Sequence, residues 1–186
     1  ADEYLLSYLP TLKQETFTVG ASYRHFGDSH VQTYSISYSY LNNRNLKYLD
    51  NDESSEENII LESSGLDGKA QARFDNRSYY GPWTVREGGE LVFRHYDSDV
   101  FRRLAGGTSM DYASDLCFVG YGLYASADYK SPGGKLNASF GVRADGSSFS
   151  SETAKIWKQL SPRASVSYMP WKSWSFNASA RMYHQL

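Results

Sequence analysis

The chain has 186 residues, 40% apolar and 16% aromatic, with 19 basic against 21 acidic side chains and one cysteine. A net charge of −2 gives no electrostatic footprint for nucleic acid, and a lone Cys117 cannot form an internal disulfide. No stretch approaches the ~20 continuous apolar residues of a spanning helix, which leaves strands as the only way this chain could cross a membrane.

The N-terminal Ala1-Asp2-Glu3-Tyr4 lacks a basic region followed by an apolar core, so any signal peptide is expected to be gone. From there the dominant signal is alternation with a period of two. Phe17, Val19, Ala21 and Tyr23 oppose Thr16, Thr18, Ser22 and Arg24, and Tyr34, Ile36, Tyr38 and Tyr40 oppose Thr33, Ser35, Ser37 and Ser39. Ala70, Ala72 and Phe74 oppose Lys69, Gln71, Arg73 and Asp75. Val85, Leu91 and Phe93 then oppose Arg86, Glu90 and Arg94, with Glu87 on the apolar face and Gly88-Gly89 read as a bulge. Cys117, Val119, Tyr121, Leu123, Ala125 and Ala127 share the next apolar face, on which Cys117 is expected to be a small buried side chain. The cleanest alternation is Leu136, Ala138, Phe140, Val142 and Ala144 against Asn137, Ser139, Arg143 and Asp145. Ala164, Val166 and Tyr168, then Trp174, Phe176, Ala178, Ala180 and Met182, complete the series. Strands are expected near 15–26, 30–41, 66–78, 84–97, 115–129, 135–146, 161–169 and 174–184. They form one all-β unit over 1–186, an antiparallel up-and-down meander of about eight strands.

The connections sort by length. They are short at Gly27-Asp28-Ser29, Tyr79 to Trp83, Lys130 to Gly134 and Pro170 to Ser173, and long at 42–65, 98–114 and 147–160. Short turns at one end and long loops at the other are the topology of an outer-membrane barrel. Aromatic residues gather beside the short turns, at Phe26, Tyr79, Tyr80, Trp83, Tyr129, Tyr168, Trp171 and Trp174, where an interfacial girdle would put them.

The run Lys135 to Arg143, ending Gly141-Val142-Arg143, is followed by Ser161-Pro162-Arg163-Ala164-Ser165-Val166-Ser167-Tyr168 and then by Arg181-Met182-Tyr183-His184-Gln185. Together with Thr84-Val85-Arg86-Glu87-Gly88-Gly89-Glu90-Leu91, this resembles the TonB-dependent outer-membrane receptors. The resemblance implies a segment from the C-terminal part of a barrel of about 22 strands, without the plug or TonB box that family members carry. It implies location in a Gram-negative outer membrane and uptake of a scarce nutrient of the iron-siderophore, cobalamin or glycan class. Contact with outer-membrane lipid, and engagement of the TonB energy-transduction complex through the absent plug, are implied as well. A secreted all-β ligand- or carbohydrate-binding module is the alternative.

No nucleophile signature or Gly-rich phosphate loop is present, so neither an enzyme nor a cofactor is expected. His25, His30, His95 and His184 are too scattered for a sequence-level metal motif, and the acidic run Asp50 to Glu57 reads as a solvated loop rather than a calcium loop. Arg73, Arg77, Arg86, Arg94, Arg143, Arg163 and Arg181 lie on the polar faces, as a basic wall that would point into a lumen. Arg73, Arg94, Arg143, Arg163, Arg181 and Tyr183 are the ligand-binding candidates. The competing role for each arginine is pairing with Asp67, Asp75, Glu90, Asp128 or Asp145 across neighbouring strands. In water, the hydrophobic effect on its own would draw the face bearing Phe17, Tyr38, Phe74, Leu123, Phe140, Val166 and Phe176 inward.

Overall fold

The computed structural model describes residues 10–104, 107–171 and 173–184. Eight strands, β1 (Thr11–Phe26), β2 (His30–Tyr48), β3 (Ile59–Tyr80), β4 (Trp83–Arg103), β5 (Ser109–Lys130), β6 (Leu136–Ser147), β7 (Leu160–Trp171) and β8 (Trp174–Arg181), form one sheet in sequence order. All neighbours are antiparallel, as the hairpin turns require. From β5 to β8, Ala127 faces Phe140, Phe140 faces Ala164, and Val166 faces Ala178, so each apolar row continues across the strands.

The strand ends at the short turns fall where the alternation puts them. Gly81 closes the tight β3–β4 turn at φ +56°, a left-handed conformation that glycine adopts without strain. At the other end β1 to β5 run further than expected. β2 continues to Tyr48 through Asn42-Asn43-Arg44-Asn45, β3 begins at Ile59, and β4 and β5 reach Arg103 and Ser109. The long connections at 42–65 and 98–114 therefore shrink to residues 49–58 and 104–108, and the β4–β5 connection is no longer than the one at 131–135. Polar residues there lack alternation but keep the backbone ladder, which is what holds a strand. β8 ends at Arg181, short of 184, and Gln185 of the Arg-x-Tyr-x-Gln pattern lies outside the described residues.

The chain divides into two compact units. The first comprises residues 1–19, 38–70 and 94–117. Its apolar core is small: Leu46 (2% exposed) and Ile59 are its buried hydrophobic residues among those described. Polar bonds do much of the tying. Arg44 Nε donates to Glu62 Oε1 at 2.7 Å, Arg103 Nη1 to the Glu57 carbonyl at 2.6 Å, and Thr11 Oγ1 to Glu53 at 2.6 Å. The acidic loop is organised by its own groups, since Asp52 accepts from Ser54 N and from Asn58 Nδ2. Hydrogen bonds from Ser54 are the main reason its carboxyl is held below the ordinary carboxylate range.

The second unit comprises residues 20–37, 71–93 and 118–186. One face of its sheet carries Leu123 (61% exposed), Phe140 (61%) and Phe176 (53%) outward, with Val166 exposed and Phe74 partly exposed beside them. The expectation that this row turns inward is wrong: all eight strands belong to one sheet, so no second layer covers the row and it stays exposed, while the opposite face carries the ion pairs of Arg73 and Arg143. The exposed aromatics include Phe26, Tyr79, Tyr80, Trp83, Tyr168, Trp171 and Trp174 beside the short turns. The Trp83 ring packs on Tyr129 at 4.9 Å.

Candidate functional site

The polar face of the second unit is built on strand positions that alternate with the apolar row. Arg143 on β6 lies opposite Tyr124 on β5, and Asp145, two residues further along β6, lies opposite Gly122. The Arg143 guanidinium pairs with Asp145 at 2.7 Å and with Glu90 of β4. Gly122 makes room for this triad. A Cβ at that position would stand 2.6 Å from Asp145 Oδ1 and 3.1 Å from Arg143 Nη2. β4 is continuous through Gly88-Gly89, and a side chain at Gly88 would overlap the Tyr124 ring. Glu87 is exposed and accepts a hydrogen bond from Asn76 at 3.1 Å, which accounts for a carboxylate on an otherwise apolar face.

Arg73 binds Asp75 through two bonds, 2.7 and 3.0 Å long, and its guanidinium stands 5.9 Å from the Tyr124 ring centroid. Arg86 reaches Asp128 at 3.6 Å. Three of the basic wall's arginines are therefore paired with acids expected as their partners, but only Arg86–Asp128 joins neighbouring strands: Arg73–Asp75 and Arg143–Asp145 lie two residues apart on one strand, and Arg143–Glu90 spans β6 to β4.

Arg163 and Arg181 are different. They face each other directly across β7 and β8, both exposed, and neither has an acidic partner among the described residues. Arg163 lies across Gly141, whose Cβ would stand 2.9 Å from its Nε. Arg181 Nη1 donates to the Tyr183 hydroxyl at 3.4 Å. Tyr183 is held alongside by two hydrogen bonds to β7: Met182 N–H donates to the Pro162 carbonyl and His184 N–H to the Ser161 side-chain hydroxyl. Like charges directly opposite on a sheet repel, so this pair is an unbalanced cationic spot.

Arg73, Arg143, Arg163, Arg181 and Tyr183 line one groove of about 610 Å³, together with His184. Five of the six candidates from the sequence thus meet in one place. Arg94 does not: it is exposed on β4 within the other unit. A second groove of about 650 Å³ is lined by Arg86, Ser126, Asp128, Asn137, Ser167 and Asn177, and its hydroxyls and amides suit hydrogen bonding to a polar ligand. On the apolar face Ile36, Phe74, Leu91, Leu123, Val142 and Leu160 line a hollow of about 1020 Å³.

Sequence reasoning missed one constellation. Cys117 is exposed, not buried, and His95 and Asp115 stand beside it in the first unit. The three are drawn together by the pairing of β4 with β5, which a search for short-range spacing does not see.

A family profile described as TonB dependent receptor-like, beta-barrel matches residues 2–183. No curated protein matches the chain. Among solved structures the copper transporter OprC is similar in fold, with a TM-score of 0.53 and 12% identity, over 91% of this chain and 26% of that one. The chain thus spans about a quarter of that transporter's length, and at this identity the likeness is one of fold.

Proposed function

The chain belongs to the TonB-dependent receptor β-barrel family, and from that premise we propose that it is part of the wall of an outer-membrane receptor that takes up a scarce nutrient. In this reading the row bearing Leu123, Phe140 and Phe176 contacts lipid, the aromatics beside the short turns mark the membrane interface, and the arginine face looks into the lumen. It has no enzymatic role. Coupling to TonB would run through a plug outside this chain. A secreted binding module is disfavoured because such a protein would leave this large apolar row facing water.

The observation that carries the ligand-contact part is the unpaired Arg163–Arg181 couple. Two guanidinium groups without a carboxylate between them suit an anionic group on the substrate, or on the plug, that bridges both. A substrate of the iron-siderophore, cobalamin or glycan class would meet it in the lumen.

Deleting the gene and growing cells with each of these nutrients limiting tests the reading. One nutrient should show a growth defect, rescued by the full-length protein and poorly by a variant carrying Arg163→Glu and Arg181→Glu. Normal growth on all three would sink the substrate class, and recovery of the protein away from the outer-membrane fraction would sink the membrane reading. A charge-reversed receptor that folds and rescues fully would remove the arginines from ligand contact.

A further inference from the structure

We propose that His95, Asp115 and Cys117 bind a single zinc-class transition-metal ion on the β4–β5 hairpin, independently of the arginine groove. The imidazole Nε2 stands 3.5 Å from Asp115 Oδ1, and Cys117 Sγ stands 3.8 Å from the same oxygen. All three ligand atoms lie within 4.8 Å of one another. An ion held at the usual bond lengths of ~2.0–2.3 Å in a tetrahedral site places its ligand atoms ~3.2–3.8 Å apart, so these three need only a small closing movement.

The backbone supplies the order. Asp115 and Cys117 are two residues apart on β5 and therefore project from the same face, and His95 reaches them from the neighbouring strand β4. An imidazole, a thiol and a carboxylate make a mixed set that selects borderline to soft ions and rejects calcium and magnesium, which favour oxygen ligands alone. Cys117 and Asp115 are exposed, which leaves a fourth position to water; on the β3 side Gly68 presents no side chain, and a Cβ there would stand 3.4 Å from the Tyr38 hydroxyl and 3.9 Å from the His95 Cβ.

In the membrane reading proposed above, the site also lies beyond the lipid. A tilted spanning strand uses roughly 9–11 residues; counted along β4 from Trp83 or back along β5 from Tyr129, that length ends before His95 and Cys117 are reached. The ion would come from water. Binding replaces the thiol proton with the metal and releases that proton to solvent, and it requires the imidazole to be neutral.

Titrating the full-length receptor in detergent with cobalt(II), its thiols kept reduced by a non-chelating phosphine, tests the proposal. One equivalent of cobalt should saturate at micromolar concentration, producing the thiolate-to-cobalt charge-transfer band and the intense visible bands of a tetrahedral site, and zinc should abolish both. Cys117→Ser should remove the charge-transfer band. His95→Ala and Asp115→Asn should each weaken binding by roughly tenfold or more, while the heat-dependent gel shift of a folded barrel remains. No band in a folded receptor, or a band that survives Cys117→Ser, would overturn the assignment.

Discussion

Gly122 shows what a missing side chain can do on this sheet. Its place is taken by the Asp145 carboxylate and the Arg143 guanidinium, so Gly122→Ala should push Asp145 off its bond. The expected cost is about 1 kcal/mol, because the clash is partly offset by the better strand propensity of alanine and the pair is partly solvent-screened. Urea unfolding of the receptor in lipid vesicles would measure it. In an Asp145→Ala background the same substitution should cost less, since the nearer of the two atoms it meets is gone and the flexible Arg143 guanidinium can shift. Equal costs in both backgrounds would show that the glycine serves some other purpose. The arginines were legible as residues of one polar face, and so were most of the acids that pair with them. That Arg163 and Arg181 stand opposite each other was not, because only the β7–β8 register sets it.

The strands were legible to the extent that their apolar residues alternate. Phe26, His30, Tyr80, Trp83 and Trp174 bound their strands within a residue or two of the expected positions, because turn chemistry and aromatic residues mark that end. The opposite ends of β1 to β5 were misread by several residues, whereas those of β6 and β7 fall within one residue of the expected positions. Runs such as Asn42 to Asn45 carry no period, yet they stay in the ladder because their neighbours offer backbone partners. The face assignment can be checked on β6 by introducing cysteine at Ser139 or Phe140 in a Cys117→Ser background, a background needed because Cys117 is itself exposed. In intact cells a membrane-impermeant aqueous thiol reagent should modify position 139, on the lumen side, and leave 140 unlabelled. The reverse pattern would refute the register. This outcome does not depend on which nutrient is carried.

For the molecule as a whole, the exposed apolar row is the decisive fact. In the proposed orientation, facing lipid, it makes burial of a charge expensive. Leu123→Arg or Phe140→Arg should therefore destabilise the full-length receptor in vesicles by about 2–4 kcal/mol, whereas Ser139→Arg should cost less than about 1 kcal/mol. Urea titration of the vesicle-folded protein reads both, and similar costs on the two faces would mean that neither faces lipid. Reasoning from the hydrophobic effect in water favoured the opposite sense, with this row inward, because it treated water as the only solvent. Instead the row stands exposed on a single-layered sheet, with the paired charges on its other face. By itself the sequence determined the all-β class, the strand order and the two faces, because alternation and short hairpin turns are local properties of the chain. Only the tertiary structure decided which arginines are neutralised, that five candidate side chains share one groove, and that His95 meets Asp115 and Cys117. Those facts depend on cross-strand register, which joins residues far apart in the chain through backbone hydrogen bonds that any side chain can accompany.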